Sequence, residues 1–335
     1  MPQMTERPPV ISSASDVEIL PLVVQRRVDD RGGIMVIDLA APDGAALPAF
    51  TAGAHVDLHV EDPATGLHLV RQYSLCGDPA DRSRYRLGIL DAPQSRGGSR
   101  ALHRLARPGA VLRVGKPRNL FPLYAGARRS VLVGGGIGVT PLLAMAHVLQ
   151  AQGGEFALHY CARAQDRTAF LEEIAEAPYR DRVHLHFDDA QPFLATRDLP
   201  PAAPDTHLYT CGPSGFMDWV TAQAAACRYG AAQLHREDFN AEVDTTGAAF
   251  EVVAARSGVT VGVPAGVTIA AALREAGVAV NLSCESGVCG TCLVDVLEGV
   301  PDHRDSFLTP EERSAGDQIL ICCSRARSAT LVLDI

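Results

Sequence analysis

The segment Cys284-Glu285-Ser286-Gly287-Val288-Cys289-Gly290-Thr291-Cys292 decides how the C-terminal part of this chain is interpreted. Its three cysteines have C-x4-C-x2-C spacing, and Cys322 follows after 29 further residues. Three thiolates on one loop and a fourth from a distant segment form the plant-type [2Fe–2S] spacing. The glycines between the cysteines let the backbone wrap a cluster and direct N–H groups at its sulfurs. The sequence therefore predicts an iron–sulfur cluster with four ligands: Cys284, Cys289, Cys292 and Cys322.

Two alternatives to this cluster stay open from the residues alone. A structural zinc site usually pairs two C-x2-C knuckles, whereas this chain has only one. The other alternative is a set of packed or free cysteines without any metal. Cys323 also competes with Cys322 for the fourth position. We favour Cys322 and expect Cys323 to be a small buried neighbour.

Composition sets broad limits on the fold and on the partners. The chain has 335 residues, 47% of them hydrophobic, and a net charge of −9. At about 150 residues per domain, this length predicts two or three domains. An acidic chain binds nucleic acid and anionic lipid poorly, so we expect neither as a partner. Nine cysteines and no signal peptide argue against a disulfide framework and favour the cytoplasm.

The hydrophobic patterns divide the chain into three blocks. Short alternating segments separated by turn residues fill the first block and predict an antiparallel β-barrel or sandwich. The second block alternates apolar strands with helical patterns, which is typical of a parallel α/β sheet. Its uncharged stretch Ser130–Gly154 contains a glycine loop and Pro141, so we do not expect a membrane span. The predicted boundaries are a flexible tail (1–15), the β block (16–125), the α/β block (126–239), a linker (240–248) and the cysteine-rich block (249–335).

A glycine loop lies between the first strand and the first helix of the α/β block. It reads Val131-Leu-Val-Gly134-Gly-Gly-Ile-Gly138-Val-Thr140-Pro141 and matches neither G-x-G-x-x-G nor the P-loop pattern. A glycine-rich turn that enters a helix nevertheless suits a pyrophosphate, because N–H groups and the helix dipole face the anion. We expect Thr140 to cap this helix and Pro141 to occupy its first turn. The alternative is a tight turn that binds nothing.

Two further segments carry possible ligand residues. Tyr209-Thr-Cys211-Gly212-Pro213 again ends a strand before a helix, so Cys211 and Gly212 are predicted to reach the same crevice. A segment of the β block, Arg71-Gln72-Tyr73-Ser74-Leu75, carries three useful groups. Arg71 can donate two hydrogen bonds to a phosphate, Tyr73 can lie flat on an aromatic ring, and Ser74 can offer a hydroxyl. By itself, Cys211 is more typical of a buried core cysteine. The strand Arg71–Leu75, by itself, is more typical of a solvated sheet face.

The order of these four segments resembles the phthalate dioxygenase reductase family, which includes the vanillate O-demethylase reductases. The resemblance covers nearly the whole chain after residue 15. It implies an FMN-binding β-barrel, an NADH-binding α/β domain and a C-terminal plant-type ferredoxin domain of α+β, β-grasp type. Ser74 near the flavin N5 and Cys211 beside the nicotinamide would be the catalytic residues. The implied cofactor-binding residues are Arg71, Gln72, Tyr73, Ser74, Gly98 and Ser99 for the flavin, with Phe239 approaching it, and Gly135, Gly136, Gly138, Thr140, Cys211, Gly212 and Pro213 for NADH.

Redox chemistry agrees with this order of parts. NADH releases two electrons as a hydride and a cluster accepts one at a time, so a flavin must lie between them. We therefore predict a reductase that passes electrons from NADH through FMN and the cluster to a separate Rieske-type terminal oxygenase, and that is itself monomeric. An oxidoreductase acting directly on a small acceptor, or a zinc-stabilised binding module, would be the alternatives. FAD stays open because Arg-x-Tyr-Ser also serves FAD relatives, and NADPH because Arg163 and Arg167 could meet a 2′-phosphate.

The remaining charged residues suggest little further chemistry. Residues 249–335 hold 11 acidic and 6 basic residues, which fits docking on a basic partner or simply a soluble acidic face. The histidines are predicted to be scattered structural or surface residues: His55, His59, His68, His103, His159, His184, His186 and His235.

Overall fold

A computed structural model describes residues 19–61, 68–91, 98–239, 243–282, 285–287, 290–305 and 307–335, without the side chains of His68 and Pro310. The predicted tail (1–15) and two of the predicted cluster ligands, Cys284 and Cys289, lie outside the described residues. The described residues form an antiparallel barrel, a parallel sheet and a smaller mixed sheet, in that order along the chain. None of their helices is long and apolar enough to cross a bilayer.

The first unit is a nearly closed barrel, which decides between the predicted barrel and sandwich. Its sheet order is β4-β3-β6-β1-β2-β5, with β7 added beside β3, and all of these pairs are antiparallel. A bridge between Leu75 and Leu87 links the two outer strands. The elements are β1 (Ile19–Asp29), β2 (Ile34–Ala40), β3 (Ala54–Glu61), β4 (His68–Ser74), β5 (Tyr85–Leu90), α1 (Gly98–Leu105), β6 (Val111–Gly115) and β7 (Arg118–Asn119).

Strand β2 explains how the barrel is joined to the next unit. All seven of its residues are buried. Met35, Ile37 and Leu39 point into the barrel core, as period-two alternation requires. Ile34 and Val36 on the opposite face belong to a second core that also contains residues of the α/β unit. The barrel and the α/β unit therefore share a hydrophobic interface.

The second unit is a five-stranded parallel sheet in the order β10-β9-β8-β11-β12. The strand order reverses between β8 and β11, and ligands of open α/β sheets bind in the crevice at such a point. Its elements are β8 (Arg129–Gly135), α2 (Val139–Ala151), β9 (Glu155–Ala162), α3 (Leu171–Glu176), β10 (Val183–Phe187), α4 (Ala195–Asp198), β11 (Thr206–Cys211), α5 (Ser214–Ala226) and β12 (Leu234–Glu237). Single 3-10 turns occupy Arg31–Gly33, Gly136–Gly138, Gln165–Arg167, Arg180–Arg182 and Ala231–Gln233.

The start of helix α2 corrects one prediction. Thr140 does not cap this helix: the cap position is Gly138, and the Thr140 hydroxyl donates to the Ile137 carbonyl at 2.9 Å. The 3-10 turn Gly136–Gly138 runs directly into the helix, so Thr140 is already helical and bonds back to the preceding turn. Pro141 does occupy the first turn, where its missing N–H costs nothing.

The third unit is a mixed sheet in the order β14-β13-β19-β15-β17, in which only β13 and β19 are parallel among the described pairs. Two of its helices begin at side-chain caps: Thr268 accepts from the Ala271 amide, and Thr309 with Glu312 forms a capping box. The elements are β13 (Phe250–Ala254), β14 (Val259–Val263), α6 (Ile269–Glu275), β15 (Leu293–Glu298), β16 (Pro301–Asp302), α7 (Pro310–Ala315), β17 (Gln318–Leu320), β18 (Arg325–Ala326) and β19 (Thr330–Leu333). Strands β16 and β18 form a separate pair.

Arg325 stabilises the third unit from inside. It is 1% exposed and is the largest fully buried side chain of the described residues. Its guanidinium donates to three backbone carbonyls and lies over the Phe250 ring. Those carbonyls belong to Val267, Ala248 and Pro264. A buried cation held by carbonyls fixes the loops around the sheet, because each donor satisfies a group that water cannot reach.

Candidate redox site

Three neighbouring strands of the parallel sheet end in one row of residues. Cys211 on β11 is the register partner of Gly134 on β8 and of Glu237 on β12. Since parallel strands bring their carboxyl ends to one edge, this row joins the glycine loop, Cys211 and a carboxylic acid at the crevice of the sheet. The prediction that Cys211 reaches the same crevice as the glycine loop is confirmed.

The two loops at this edge touch without any side chain between them. A Cβ on Gly138 would lie 2.3 Å from the Cys211 carbonyl oxygen, and one on Gly212 would lie 3.0 Å from the Gly135 carbonyl oxygen. Only glycine fits such an approach, and it leaves backbone N–H groups at the start of α2 accessible to an anion. Gly136 begins the 3-10 turn that leads into helix α2, Thr140 lies in the first turn of that helix, and Pro213 after Gly212 is exposed. The predicted dinucleotide residues are thus brought together.

The predicted flavin strand is β4, and its arginine lies beside helix α1. A Cβ on Gly98 would lie 2.7 Å from Arg71 Cγ, so the first residue of α1 packs directly on that side chain. The Ser99 hydroxyl in the same turn is buried and has no hydrogen-bond partner among the described residues, which do not include 92–97. A guanidinium, a helix N-terminus and an unsatisfied buried hydroxyl fit a phosphate. The residues present therefore fit the phosphate end of a flavin.

Tyr73 and Gln72 occupy the middle of the same strand. Burial raises the pKa of the Tyr73 hydroxyl, and the Arg71 charge lowers it by less. Tyr73 is therefore a neutral aromatic surface, which suits contact with a flat ring system. Gln72 points to the other face of the strand, where its amide donates to Asp57 Oδ1 at 3.2 Å.

Ser74 connects the flavin strand to the edge of the parallel sheet. Its hydroxyl donates a hydrogen bond to Glu237 Oε2 at 3.4 Å, across the interface between the barrel and the α/β unit. Burial raises the pKa of Glu237 to about 8, and the Ser74 hydrogen bond lowers it by less. Glu237 is thus largely protonated at neutral pH. It can hold or pass a proton beside the predicted hydride-transfer position.

Sequence reasoning missed Glu237. Strand β12 reads Leu-His-Arg-Glu, so it has no apolar alternation to reveal it. The order of elements along the chain was the one usable indication of Glu237. A strand that follows helix α5 is expected to return to the sheet next to β11 and to end near Cys211.

Cys211 is fully buried, and its thiol is unreactive. Burial raises the pKa of its thiol well above the usual value, and the nearby carboxyls of Glu237 and Asp238 raise it further. A neutral thiol here is not a nucleophile. It forms a small wall of the crevice that excludes water without adding charge. Phe239, two residues beyond Glu237, is 41% exposed at the same edge, and its predicted flavin contact stays a prediction.

The described residues of the cluster loop are tightly packed. Cys292 and Cys322 are both 3% exposed. Gly287 and Gly290 have φ values of 76° and 74°; a Cβ on Gly287 would lie 2.6 Å from Cys323 Sγ, and one on Gly290 would lie 2.4 Å from the Phe307 ring. Neither position has room for a side chain, as expected where backbone must wrap a cluster.

The fourth ligand and the complete cluster geometry stay predictions. Cys323 is 2% exposed, and its sulfur lies 3.8 Å from the Leu320 carbonyl oxygen, which fits the expected buried neighbour. Among the described residues no group of three or more His, Cys, Asp or Glu is arranged around a metal position. Two of the four predicted ligands lie outside those residues. The two that are described, Cys292 and Cys322, are both buried.

The histidines of the parallel sheet are not scattered, which corrects the prediction. His159 and His186 lie 3.0 Å apart through Nδ1 and Nε2, and His184 stacks on His159. Burial lowers the pKa of His159 to about 3. His207 and His235 form a second pair at 2.9 Å. All five occupy positions on neighbouring strands, so these histidines form packing ladders within the sheet.

Comparisons with known proteins give this arrangement a family. Residues 252–327 match the 2Fe-2S iron–sulfur cluster binding domain family. The vanillate O-demethylase oxidoreductase of Pseudomonas putida is 46% identical over 323 residues, which are 95% of this chain and 100% of that protein. The chain belongs to the phthalate dioxygenase reductase family. The solved phthalate dioxygenase reductase is 36% identical, with a TM-score of 0.68 over 97% of this chain and 100% of its own.

A third similarity is to a larger protein. An intact type IV self-sufficient cytochrome P450 monooxygenase is 35% identical, with a TM-score of 0.79 over 99% of this chain. The chain spans 43% of that protein. The same three units therefore also occur as one part of a longer oxygenase chain.

Membership of the phthalate dioxygenase reductase family confirms the predicted fold class and activity. This reductase passes electrons from a pyridine nucleotide through a flavin to a [2Fe–2S] cluster. The match to the cluster-binding domain also favours iron–sulfur over zinc. When bound, the flavin accepts electrons in pairs and releases them singly. With the flavin bound, Arg71 and Ser99 would hold its phosphate, Glu237 would hold a proton nearby, and the buried Cys211 would help to exclude water.

Proposed function

We propose that this chain is the NADH-dependent reductase component of a two-component oxygenase, and that it delivers electrons through FMN and the cluster to a separate terminal oxygenase of Rieske type. One arrangement carries the proposal: the barrel contacts the α/β unit through its flavin strand β4 and the third unit through β7. On one side Ser74 meets Glu237 beside the dinucleotide loop. On the other side Arg118 reaches Thr291 in the cluster loop.

We assign the site residues and unit boundaries as the resemblance implies. Arg71 to Ser74, Gly98 and Ser99 would hold FMN, the two facing loops would hold NADH, and Cys284, Cys289, Cys292 and Cys322 would hold the cluster. The units would span residues 16–125, 126–239 and 249–335. Flavin released by denaturation and separated by chromatography should be FMN, with about one FMN and two irons per chain. FAD in that fraction would overturn the FMN assignment.

NADH is proposed over NADPH because the resemblance implies NADH and the two candidate arginines have exposed side chains. Arg163 and Arg167 follow strand β9, and both are exposed. A 2′-phosphate is usually held by an arginine at a defined position in the crevice. We expect kcat/KM for NADH to exceed that for NADPH by about tenfold or more. Equal values would contradict the assignment.

An oxygenase of Rieske type is proposed as partner because the family resemblance implies it and relatives of this chain are named as reductases of a demethylase or a dioxygenase. They include vanillate O-demethylase oxidoreductase and phthalate dioxygenase reductase. The match covers 100% of the vanillate O-demethylase oxidoreductase but 43% of the P450 monooxygenase chain. The net charge of −5 over residues 249–335 suits a basic docking surface. We further propose a monomer in the cytoplasm, where thiols stay reduced and can serve as cluster ligands.

The partner is tested by mixing the purified reductase with candidate oxygenases under anaerobic conditions. NADH should reduce a Rieske centre in the cognate oxygenase at catalytic amounts of reductase, and a bacterial P450 should stay oxidised. Reduction of the P450 instead would identify a haem oxygenase as the partner class. Turnover of a small acceptor without any added protein would favour the self-contained oxidoreductase.

A further inference from the structure

A line of polar side chains connects the flavin strand with the cluster loop. The Gln72 amide donates to Asp57 Oδ1 at 3.2 Å. Arg118 donates to the other carboxylate oxygen, Asp57 Oδ2, through Nη2 at 2.6 Å. Its second terminal nitrogen, Nη1, donates to the Thr291 hydroxyl at 3.5 Å. Thr291 is separated from Arg118 by 173 positions in the sequence and immediately precedes the predicted ligand Cys292.

Asp57 holds Arg118 in place. This carboxyl is 4% exposed in the middle of strand β3, and a buried carboxylate requires donors to offset its desolvation. Arg118 also pairs through its backbone with β3, opposite His55. Its side chain is 32% exposed, so the guanidinium lies at the border between the barrel and the cluster loop.

The guanidinium suits this position because it is planar and carries several donors. One nitrogen can bind the buried carboxylate while another reaches a hydroxyl in the next unit. A lysine ammonium at the same place could neutralise Asp57, but its single nitrogen could not span both groups. Arg118 is therefore able to transmit the position of the barrel strands to the cluster loop.

We infer that Arg118 is a positioning residue that docks the cluster loop on the barrel beside the flavin strand. The inference rests on the proposed function only for its effect on electron transfer. Transfer between two centres depends on their separation and orientation, and small displacements of reacting groups reduce rates strongly. Docking through Arg118 and Thr291 keeps the third unit at one distance from the barrel.

The first test separates the two electron-transfer steps by anaerobic stopped-flow spectroscopy of the full chain. In Arg118→Lys and Thr291→Val, flavin reduction by NADH should stay at the wild-type rate. Reduction of the cluster should slow, by about tenfold or more in Arg118→Lys. Thr291→Ser, which keeps the hydroxyl, should restore the wild-type rate. Arg113→Ala, at an exposed position on β6, is the matched control and should change neither phase.

The second test needs no electron transfer. Hydrogen–deuterium exchange of peptides covering residues 290–296 should be faster in Thr291→Val and Arg118→Lys than in wild type and Arg113→Ala. Wild-type protein without flavin or cluster would refute the proposed function, while this exchange still tests the docking. Unchanged exchange and an unchanged cluster-reduction rate in Thr291→Val and Arg118→Lys would overturn the inference. Slower flavin reduction together with flavin loss would also overturn it, because Arg118 would then act only within the barrel.

Discussion

The Ser74 hydroxyl on strand β4 and the Glu237 carboxyl on strand β12 meet across two units of the fold, with 3.4 Å between Oγ and Oε2. This contact brings the flavin strand to the sheet edge that carries the glycine loop and Cys211. Glu237 is half-buried at this contact, and burial raises the pKa of its carboxyl to about 8. The contact therefore creates a neutral acid where the flavin and the nicotinamide are expected to meet.

The titration of Glu237 predicts a pH dependence of flavin reduction. Below pH 8 the carboxyl is neutral and can donate a hydrogen bond or proton. Above it, the group ionises and can only accept. We expect the anaerobic rate of flavin reduction by NADH to fall as pH rises through about 8. In Glu237→Gln the rate should be about tenfold lower or more and independent of pH in this range.

The matched control for this variant is Glu176→Gln, an exposed carboxyl at the end of helix α3. It should keep both the wild-type rate and the wild-type pH profile. If Glu237→Gln kept the wild-type profile, the titrating group would have to be another residue, and the proposed role of Glu237 would be wrong.

The contact between the two glycine loops predicts a specific binding defect. Gly138→Ala would place a Cβ 2.3 Å from the Cys211 carbonyl oxygen and must push the loops apart. We expect KM for NADH to rise by about tenfold or more while flavin and iron contents stay normal. Gly215→Ala, in the first turn of helix α5, would meet nothing within 4 Å and should behave as wild type. Equal KM values for the two variants would contradict a dinucleotide site formed by these two loops.

The sequence was most informative where burial creates a repeating pattern. Strands such as β5 (Tyr85–Leu90) and β14 (Val259–Val263) carry apolar residues at alternating positions, which predicts a strand without knowledge of the fold. Cysteine spacing and glycine loops identified the chemistry, because ligand geometry and close backbone approach restrict residue type. These features are local in the chain, so they can be recognised in the sequence without knowledge of the fold.

What escaped prediction depends on tertiary contacts. Strand β12 is a polar edge strand, and the raised pKa of Glu237 arises from packing against the barrel. The link from Asp57 through Arg118 to Thr291 joins segments far apart in sequence. The histidine ladders appear only when strand register places His159 opposite His184. No local pattern encodes such pairings.

The His159 ladder predicts acid sensitivity. Burial lowers the pKa of His159 from 6.5 to about 3, so between these values the unfolded chain binds a proton that the folded chain does not. The stabilisation is therefore complete above pH 6.5 and is lost as pH falls toward 3. Thermal unfolding scans should show a decrease in Tm from pH 7 to pH 5 that is smaller in His159→Phe than in wild type.

The exposed neighbour His184 provides the comparison for this measurement. His184→Phe should keep a Tm decrease close to that of wild type. A His159→Phe variant as acid-sensitive as wild type would show that the acid response has another origin.

Arg325 predicts a stability defect confined to the third unit. Arg325→Met keeps the side-chain volume but leaves three buried carbonyls without their donor. We expect a loss of about 3 kcal/mol or more in the free energy of unfolding of this unit, measured by denaturant titration of the visible cluster absorbance. Arg327→Ala removes a 68% exposed side chain and should cost less than about 1 kcal/mol. Similar midpoints for both variants would refute the structural role of Arg325.

The central claim is that electrons from NADH pass through a flavin held by the barrel to a cluster. Cys322 and the three cysteines of the cluster loop are the proposed ligands of that cluster. The most direct measurement is anaerobic addition of NADH to wild type and Cys322→Ser, with flavin absorbance and electron paramagnetic resonance recorded together. Wild type should show flavin bleaching followed by the signal of a reduced [2Fe–2S] cluster, and Cys322→Ser should show bleaching without the wild-type signal. A wild-type protein without that signal, or with a cluster reduced before the flavin, would contradict the account.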